Sequence, residues 1–490
     1  MTRTLTNNAA LSVARESSLG VASTSWLLLE PNTIPQIGAK LTKMVRNPVS
    51  KNRQRRKGAV VGLESMVDVE SDLTMEHVME FGEGFMFATA TSVDAFIPTA
   101  VTATGYTVAS GGALAANTLI YARGFTNAAN NGLKVVGAAS TGTEIKTSGL
   151  VAEAAIPAAQ NVSVEVCGIQ GASGDITMTS GGDLASTVLN FTTLELTVGQ
   201  YIWVGGATGG ALSFATAADR GLARITAIAA NLLSLDRTTN TFAVDAGTSK
   251  TIQIFWGPFI RNVSVDHASF LTRSYTFEAW YEDVLYSGPG DEYEYARGNY
   301  CDELTFELPL ENKATMKMGF VGQDTDPPTT TRLTGASAAR APVRTAAFNT
   351  TADIARLVVA KTDETGIGTD FKACKLTIKN NVGGEKVLGT LGSKYMTFGN
   401  FDVDLDATVL FDDSRLPLAM QENTTVGMWF GLRNDDGGMV CDIPSMTIDG
   451  GGKDFPENEA VTIALNGKAH QDATLGYSLG ISLFPYMPAA

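Results

Sequence analysis

Asp402, Asp404 and Asp406 have the alternate spacing of a calcium loop, and Asp449-Gly450-Gly451-Gly452-Lys453 has the first half of a phosphate loop. Neither pattern is completed. A calcium loop needs Gly at its sixth position for the sharp turn and Glu at its twelfth to close the shell; this chain has Ala407 and Asp413 there. A phosphate loop needs Ser or Thr after its lysine and a helix behind it. Asp454 and Pro456 follow instead, which predicts a hairpin turn. His77, His267 and His470 fall in unlike segments, suggest no Ser-His-Asp or Cys-His arrangement, and are expected at a surface or strand edge. Cys167, Cys301, Cys374 and Cys441 are far apart and lack metal spacing, so they are expected as reduced, buried thiols. With no nucleophile, metal set or phosphate loop, the expectation is no enzyme and no cofactor.

Charge is the second chemistry. The net charge is −15, and a surface of that sign repels DNA. Yet the stretch between Glu30 and Glu64 has eight basic residues and no acid. Arg46, Lys51, Arg53, Arg55, Arg56 and Lys57 crowd one short segment of it. A nucleic-acid patch would interleave aromatic residues for stacking, and this segment has none. A solvated loop and a contact with an acidic surface of another copy stay open.

The elements that must position these groups are mostly strands. Hydrophobic content of 44% with 18% charge suits a globular core, and 490 residues suit two or three domains. The start has no apolar signal region, and no apolar run reaches the length of a membrane span. Val67 and Val69 alternate with Met66, Asp68 and Glu70. Leu304, Phe306 and Leu308 alternate with polar residues, Glu311–Lys313 turns, and Met316, Met318 and Phe320 alternate back. Phe401, Val403 and Leu405 fill the gaps between the three aspartates, so those carboxylates read as a stripe on one strand face. Pro31, Pro35 and Pro48 predict a long loop from Pro31 to Lys57. Asp72 is expected to cap a short helix ending at Gly82. Asp326–Asp353, with Pro327, Pro328 and Pro342, reads as a mobile loop.

Composition shifts after Phe87 to Ala, Gly and Thr, and charged, aromatic strands return from Arg261. This predicts an all-β core of residues 1–87 and 263–490, split by an insertion at 88–262. A loose internal repeat aligns Gly132-Leu133 with Gly221-Leu222 and suggests two tandem β-modules, about 95–175 and 176–262.

The order of these pieces resembles the tail tube (major tail) proteins of long-tailed, non-contractile bacteriophages. AVVGLESMVDVESDLTMEHVMEF, ELTFELPLENKATMKMGFVGQD, CKLTIKNN and FGNFDVDLDATVLFDD carry the resemblance. It covers about 1–87 and 263–490; the inserted β-modules look like the decoration that some such proteins carry outside, so they would bind host glycans or merely decorate, and deleting 88–262 should leave tube assembly intact. The resemblance implies a β-sandwich subunit with one short helix. Six subunits form a ring whose inner sheets join into a barrel, and rings stack into a tube for genome ejection. It implies other copies, a tail tip, a tail terminator and a tape measure protein as partners, with DNA passing without sticking. The place would be the virion tail, assembled in the host cytoplasm. By position, the family's stacking loop is the segment with Arg46, Lys51, Arg53, Arg55, Arg56 and Lys57. Asp68, Glu70, Asp402, Asp404 and Asp406 would face an acidic lumen. A capsid shell or decoration protein, and a bacterial surface-layer-like β-protein, are the alternatives. The first would bring a long helix and the second a secretion signal.

Overall fold

An alternating strand has one apolar row to hide, and two sheets facing each other hide both rows. The computed structural model describes residues 6–38, 40–47, 49, 51, 56–138, 140–157, 162–206, 210–282, 290–361, 366–368, 370–412 and 414–488. The core elements are β1 (Ala9–Ser18), β2 (Val21–Leu29), β3 (Lys40–Arg46), β4 (Arg56–Asp72), α1 (Met75–Met86), β5 (Ser274–Tyr281), β6 (Glu292–Pro309) and β7 (Thr315–Gly322). After these come β8 (Ile354–Lys361), β9 (Phe371–Lys379), β10 (Asp402–Leu410), α2 (Arg415–Gln421), β11 (Val426–Asn434), β12 (Gly437–Asp454), β13 (Thr462–Ala469) and β14 (Gly480–Phe484). The fold is all-β, as expected, with one more short helix than the sequence suggests. Pro417 hid α2, although proline is tolerated in a first helical turn.

The front sheet runs β3–β4–β7–β6–β9–β10–β13–β12, antiparallel throughout. Two long strands turn the corner to the back layer. The first half of β6 pairs with β5 and its second half with β9. The first half of β12 pairs with β11 and β14, and its second half with β13. Val67, Val69, Leu304, Phe306, Met316, Met318, Val403 and Leu405 of the front meet Leu11, Val13, Phe277, Val359, Met428 and Cys441 of the back in one core.

Helix α1 sits between the layers, with Phe81 against Tyr275 and Phe320. Its cap is Thr74 rather than Asp72, and it ends at Phe87, whose left-handed backbone donates to the Glu83 carbonyl. Gly82 does not stop it. Gly84 lies where a Cβ would come within 2.7 Å of Cys301 Sγ and Tyr275 Oη, so this helix uses glycine for close packing. His77 is not at a surface. It is buried beside the cap, its Nδ1 3.1 Å from the Asp72 carbonyl, and burial lowers its pKa. All four cysteines are buried free thiols. The Asp449–Lys453 stretch is strand with a bulge, not a hairpin turn.

Residues 95–255 pair among themselves. Ser163–Gln170 pairs with Thr118–Arg123 on one side and Gln253–Phe255 on the other, so one sheet runs through both repeat segments. The chain enters and leaves side by side, where Ala88 bridges Phe270 and Thr91 bridges Phe259. These strands cover the back face of β8, β11, β12 and β14. Leu119, Cys167, Tyr201, Trp203, Leu222 and Phe255 form one apolar cluster with Val358, Trp429, Val440, Phe484 and Met487. Asp442, 1% exposed, accepts from Arg224 at 2.9 Å and Arg237 at 3.0 Å across this contact. A Cβ on Gly427 would lie 2.0 Å from Arg237 Nη2, and that guanidinium is held in place by Asp442 and the Pro444 carbonyl, so it cannot swing away without losing them. Gly427→Ala is therefore expected to destabilise the chain by about 1–3 kcal/mol, seen as a lower urea midpoint with unchanged slope.

The segment Asp326–Asp353 has little regular structure but is tied down along much of its length. Arg332 pairs with the buried Glu278 at 2.6 Å and stacks over Trp280 and Tyr293. Arg340 pairs with Glu76, and Arg344, itself buried, pairs with Glu165. Proline content suggested mobility; charged anchors spaced along the segment counter it.

Candidate functional site

In register, Asp68 of β4 faces Gly319, and Glu70 faces Lys317. Glu303 and Glu307 of β6 face Lys379 and Lys375 of β9, and these lysines face Asp402 and Asp406 of β10. Asp404 faces Lys468 of β13. Directly opposed residues share a sheet face. Asp68, Glu70, Asp402, Asp404 and Asp406 therefore lie on the one solvent side of the front sheet, about 19 Å apart across four strand spacings. The two stripes that the sequence places on separate strands form one surface.

That surface is acidic in sum but not uniformly so. Its carboxylates include Asp68, Glu70, Asp72, Glu303, Glu307, Asp402, Asp404, Asp406 and Asp449, and they stand with Lys317, Lys375, Lys379 and Lys468. Lys317 holds Glu307 at 3.1 Å and Lys379 holds Glu303 at 3.6 Å. Asp402 accepts from Asn381 Nδ2 at 2.8 Å. Burial raises the Asp68 pKa, and Glu303 and Asp302 raise it further. Sequence reading missed most of the lysine columns because Lys375, Lys379 and Lys468 sit on strands distant in sequence from the acids they face; Lys317, one hairpin turn from Glu307, is the exception.

The basic segment is not a loop but a hairpin arm. β3 pairs with the first half of β4, from Lys40↔Glu64 to Arg46↔Arg56. β3 is exposed along its length and β4 from Arg56 to Val61, whereas Gly62 and Leu63 at the base of the arm are buried. Leu41, Met44, Val45, Val60 and Val61 are left uncovered, and Arg46 opposes the like charge of Arg56. Lys51 and Lys57 are exposed on the same projection; Arg53 and Arg55 lie outside the described residues. An isolated two-stranded hairpin is marginal in water, and like charges opposed across it weaken it further. Such an arm is suited to being covered by another surface.

No group of three His, Cys, Asp or Glu side chains among the described residues is placed to hold a metal ion. Comparison with known families decides the identity, since the model of the phage tail tube proteins matches residues 6–469. The chain belongs to the phage tail tube protein family. A search of curated proteins found no match. Membership makes the chain a structural protein of the virion tail that assembles with other tail proteins into a tube. It selects this reading over a shell or surface-layer protein. No helix among the described residues is long and apolar enough to cross a membrane.

Proposed function

We propose that six copies close a ring, that rings stack through the arm, and that the front face lines the channel through which the genome is ejected. One observation carries the reading. Both acidic stripes share the solvent face of a sheet whose outer edges, β3 and the second half of β12, have no strand partner among the described residues. Open edges are an aggregation hazard that closure into a barrel removes. Residues 88–262 form, on this reading, an inserted region on the outer wall, since they cover the opposite side of the sandwich. A net negative wall keeps DNA moving, because phosphate finds few unpaired cations there. The channel would hold the tape measure protein before ejection. The tail tip, the terminator and assembly in the host cytoplasm complete the proposal, and the long, non-contractile tail type belongs to it as well.

Electron microscopy of the purified chain at low and high salt tests it. Hollow six-fold tubes are expected, with the Asp402–Asp406 stripe on the inner wall and stacking weakened at high salt, where exposed charges are screened. Closed shells, flat lattices, or a reconstruction with the stripe on the outer wall would overturn it.

A further inference from the structure

The front sheet has two unlike ends along its strand direction. One end carries the arm, where Lys40, Lys43, Arg46, Lys51, Arg56 and Lys57 are exposed beside bare Met44 and Val45. The other end is made where β6 leaves, β9 begins, β10 leaves and β12 turns into β13. Leu410 and Asp454 both pair with Thr462, so the end of β10 lies next to the β12–β13 turn. This end carries Asp412, Asp454, Glu457 and Glu459, with Leu310 and Phe455 exposed at 61% and 72%. Of its cations, Lys313 pairs with Asp72 at 2.5 Å, Lys372 lies 3.5 Å from Glu459 and Lys453 lies over the Phe411 ring.

We propose that this acidic end is the seat for the arm of a second copy, an inference that rests on the stacking reading above. Asp412, Asp454 and Glu457 meet the arm cations, while Leu310 and Phe455 cover Met44 and Val45. The outer part of the arm, residues 43–46 with 56–61, stays exposed among the described residues, and the far end of the same sheet has the opposite charge and matching apolar side chains. The two surfaces are different, so the contact is heterologous: satisfying it on one copy leaves an arm and a seat free at the ends, and growth continues with one polarity. Opposite signs also orient the encounter before contact, because facing like ends repel.

Zero-length carbodiimide coupling on assembled tubes or isolated tails reads the contact, since it joins a lysine directly to a carboxylate. Peptides joining Lys43, Lys51 or Lys57 to Asp412, Asp454, Glu457 or Glu459 are expected. A charge exchange adds the second reading. Asp454→Lys with Glu457→Lys should cut tube yield about tenfold at low salt, and adding Lys43→Glu and Lys57→Glu in the same chain should restore it. Arm lysines coupled to other carboxylates of a neighbour, or undiminished tubes from the Asp454→Lys, Glu457→Lys chain, would overturn the seat while leaving stacking by the arm intact. No coupling of the arm between copies would overturn the stacking reading itself.

Discussion

Excision of residues 88–262, with Phe87 joined to Val263, is expected to give an insoluble chain rather than a smooth-walled tube. The ends are close enough to rejoin, because Ala88 bridges Phe270 and Thr91 bridges Phe259. The obstacle is the face left behind. Trp429, Val440, Phe484 and Met487 are buried only because strands of 95–255 cover them. Each large apolar side chain contributes about 1.5–3 kcal/mol when fully buried, so the four together represent on the order of 6–12 kcal/mol. A whole domain is stable by about 5–15 kcal/mol. The bared patch would also be sticky. Solubility and gel filtration of the excised chain check this, beside a version carrying Trp429→Ser, Val440→Thr, Phe484→Ser and Met487→Gln. The polar version should recover soluble protein. A soluble excised chain without those changes would show that the covering strands are mere decoration, as composition alone suggests.

The sequence makes one side of the sandwich legible and hides the other, for a physical reason. Front strands have a wet face, so Glu303 and Glu307 alternate with Leu304, Phe306 and Leu308, and the stripe of Asp402, Asp404 and Asp406 stands out. Alternation gives the facing of each strand but not its neighbours. That β4 lies four strands from β10 on one sheet depends on pairings far apart in the chain. Back strands are buried on both faces, so Val426–Leu432 reads only as an apolar run and does not reveal what covers it. The arm misleads in another way. Its apolar residues point to both sides with no core to choose between them, so it looks like a loop until the register with Glu64 is seen. The one signal for the covering contact was Asp442, a charge between Cys441 and Ile443 in an otherwise apolar stretch. Its partners, Arg224 and Arg237, look in sequence like ordinary surface arginines.

Asp442→Ala is expected to cost about 3–5 kcal/mol, the range for removing one partner of a buried ion group. Arg224 and Arg237 are both nearly inaccessible and share this carboxylate. Arg224 would keep Asp236 at 2.5 Å, whereas Arg237 would keep the Pro444 carbonyl at 2.8 Å. Tyr201 and Tyr477 also donate to Asp442, at 3.3 and 3.1 Å. Burial, with Asp442 beside them, pushes both phenols well above their usual range, so they stay protonated; Tyr201 would lose its acceptor, whereas Tyr477 would keep the Gly199 carbonyl at 3.2 Å. The loss should appear in urea unfolding followed by tryptophan fluorescence, because Trp203 and Trp429 sit at the same contact. The triple change Asp442→Leu, Arg224→Met, Arg237→Met separates two causes. If the single variant fails because two cations are left without their shared carboxylate, the apolar triple should recover most of the stability, since a buried ion group replaced whole is often neutral or better. If the triple is as unstable as the single, the ion group sets the fit of the covering strands on the core rather than merely balancing its own charges. Tube assembly by the triple then reports whether that fit is what lets the outer wall form around the ring.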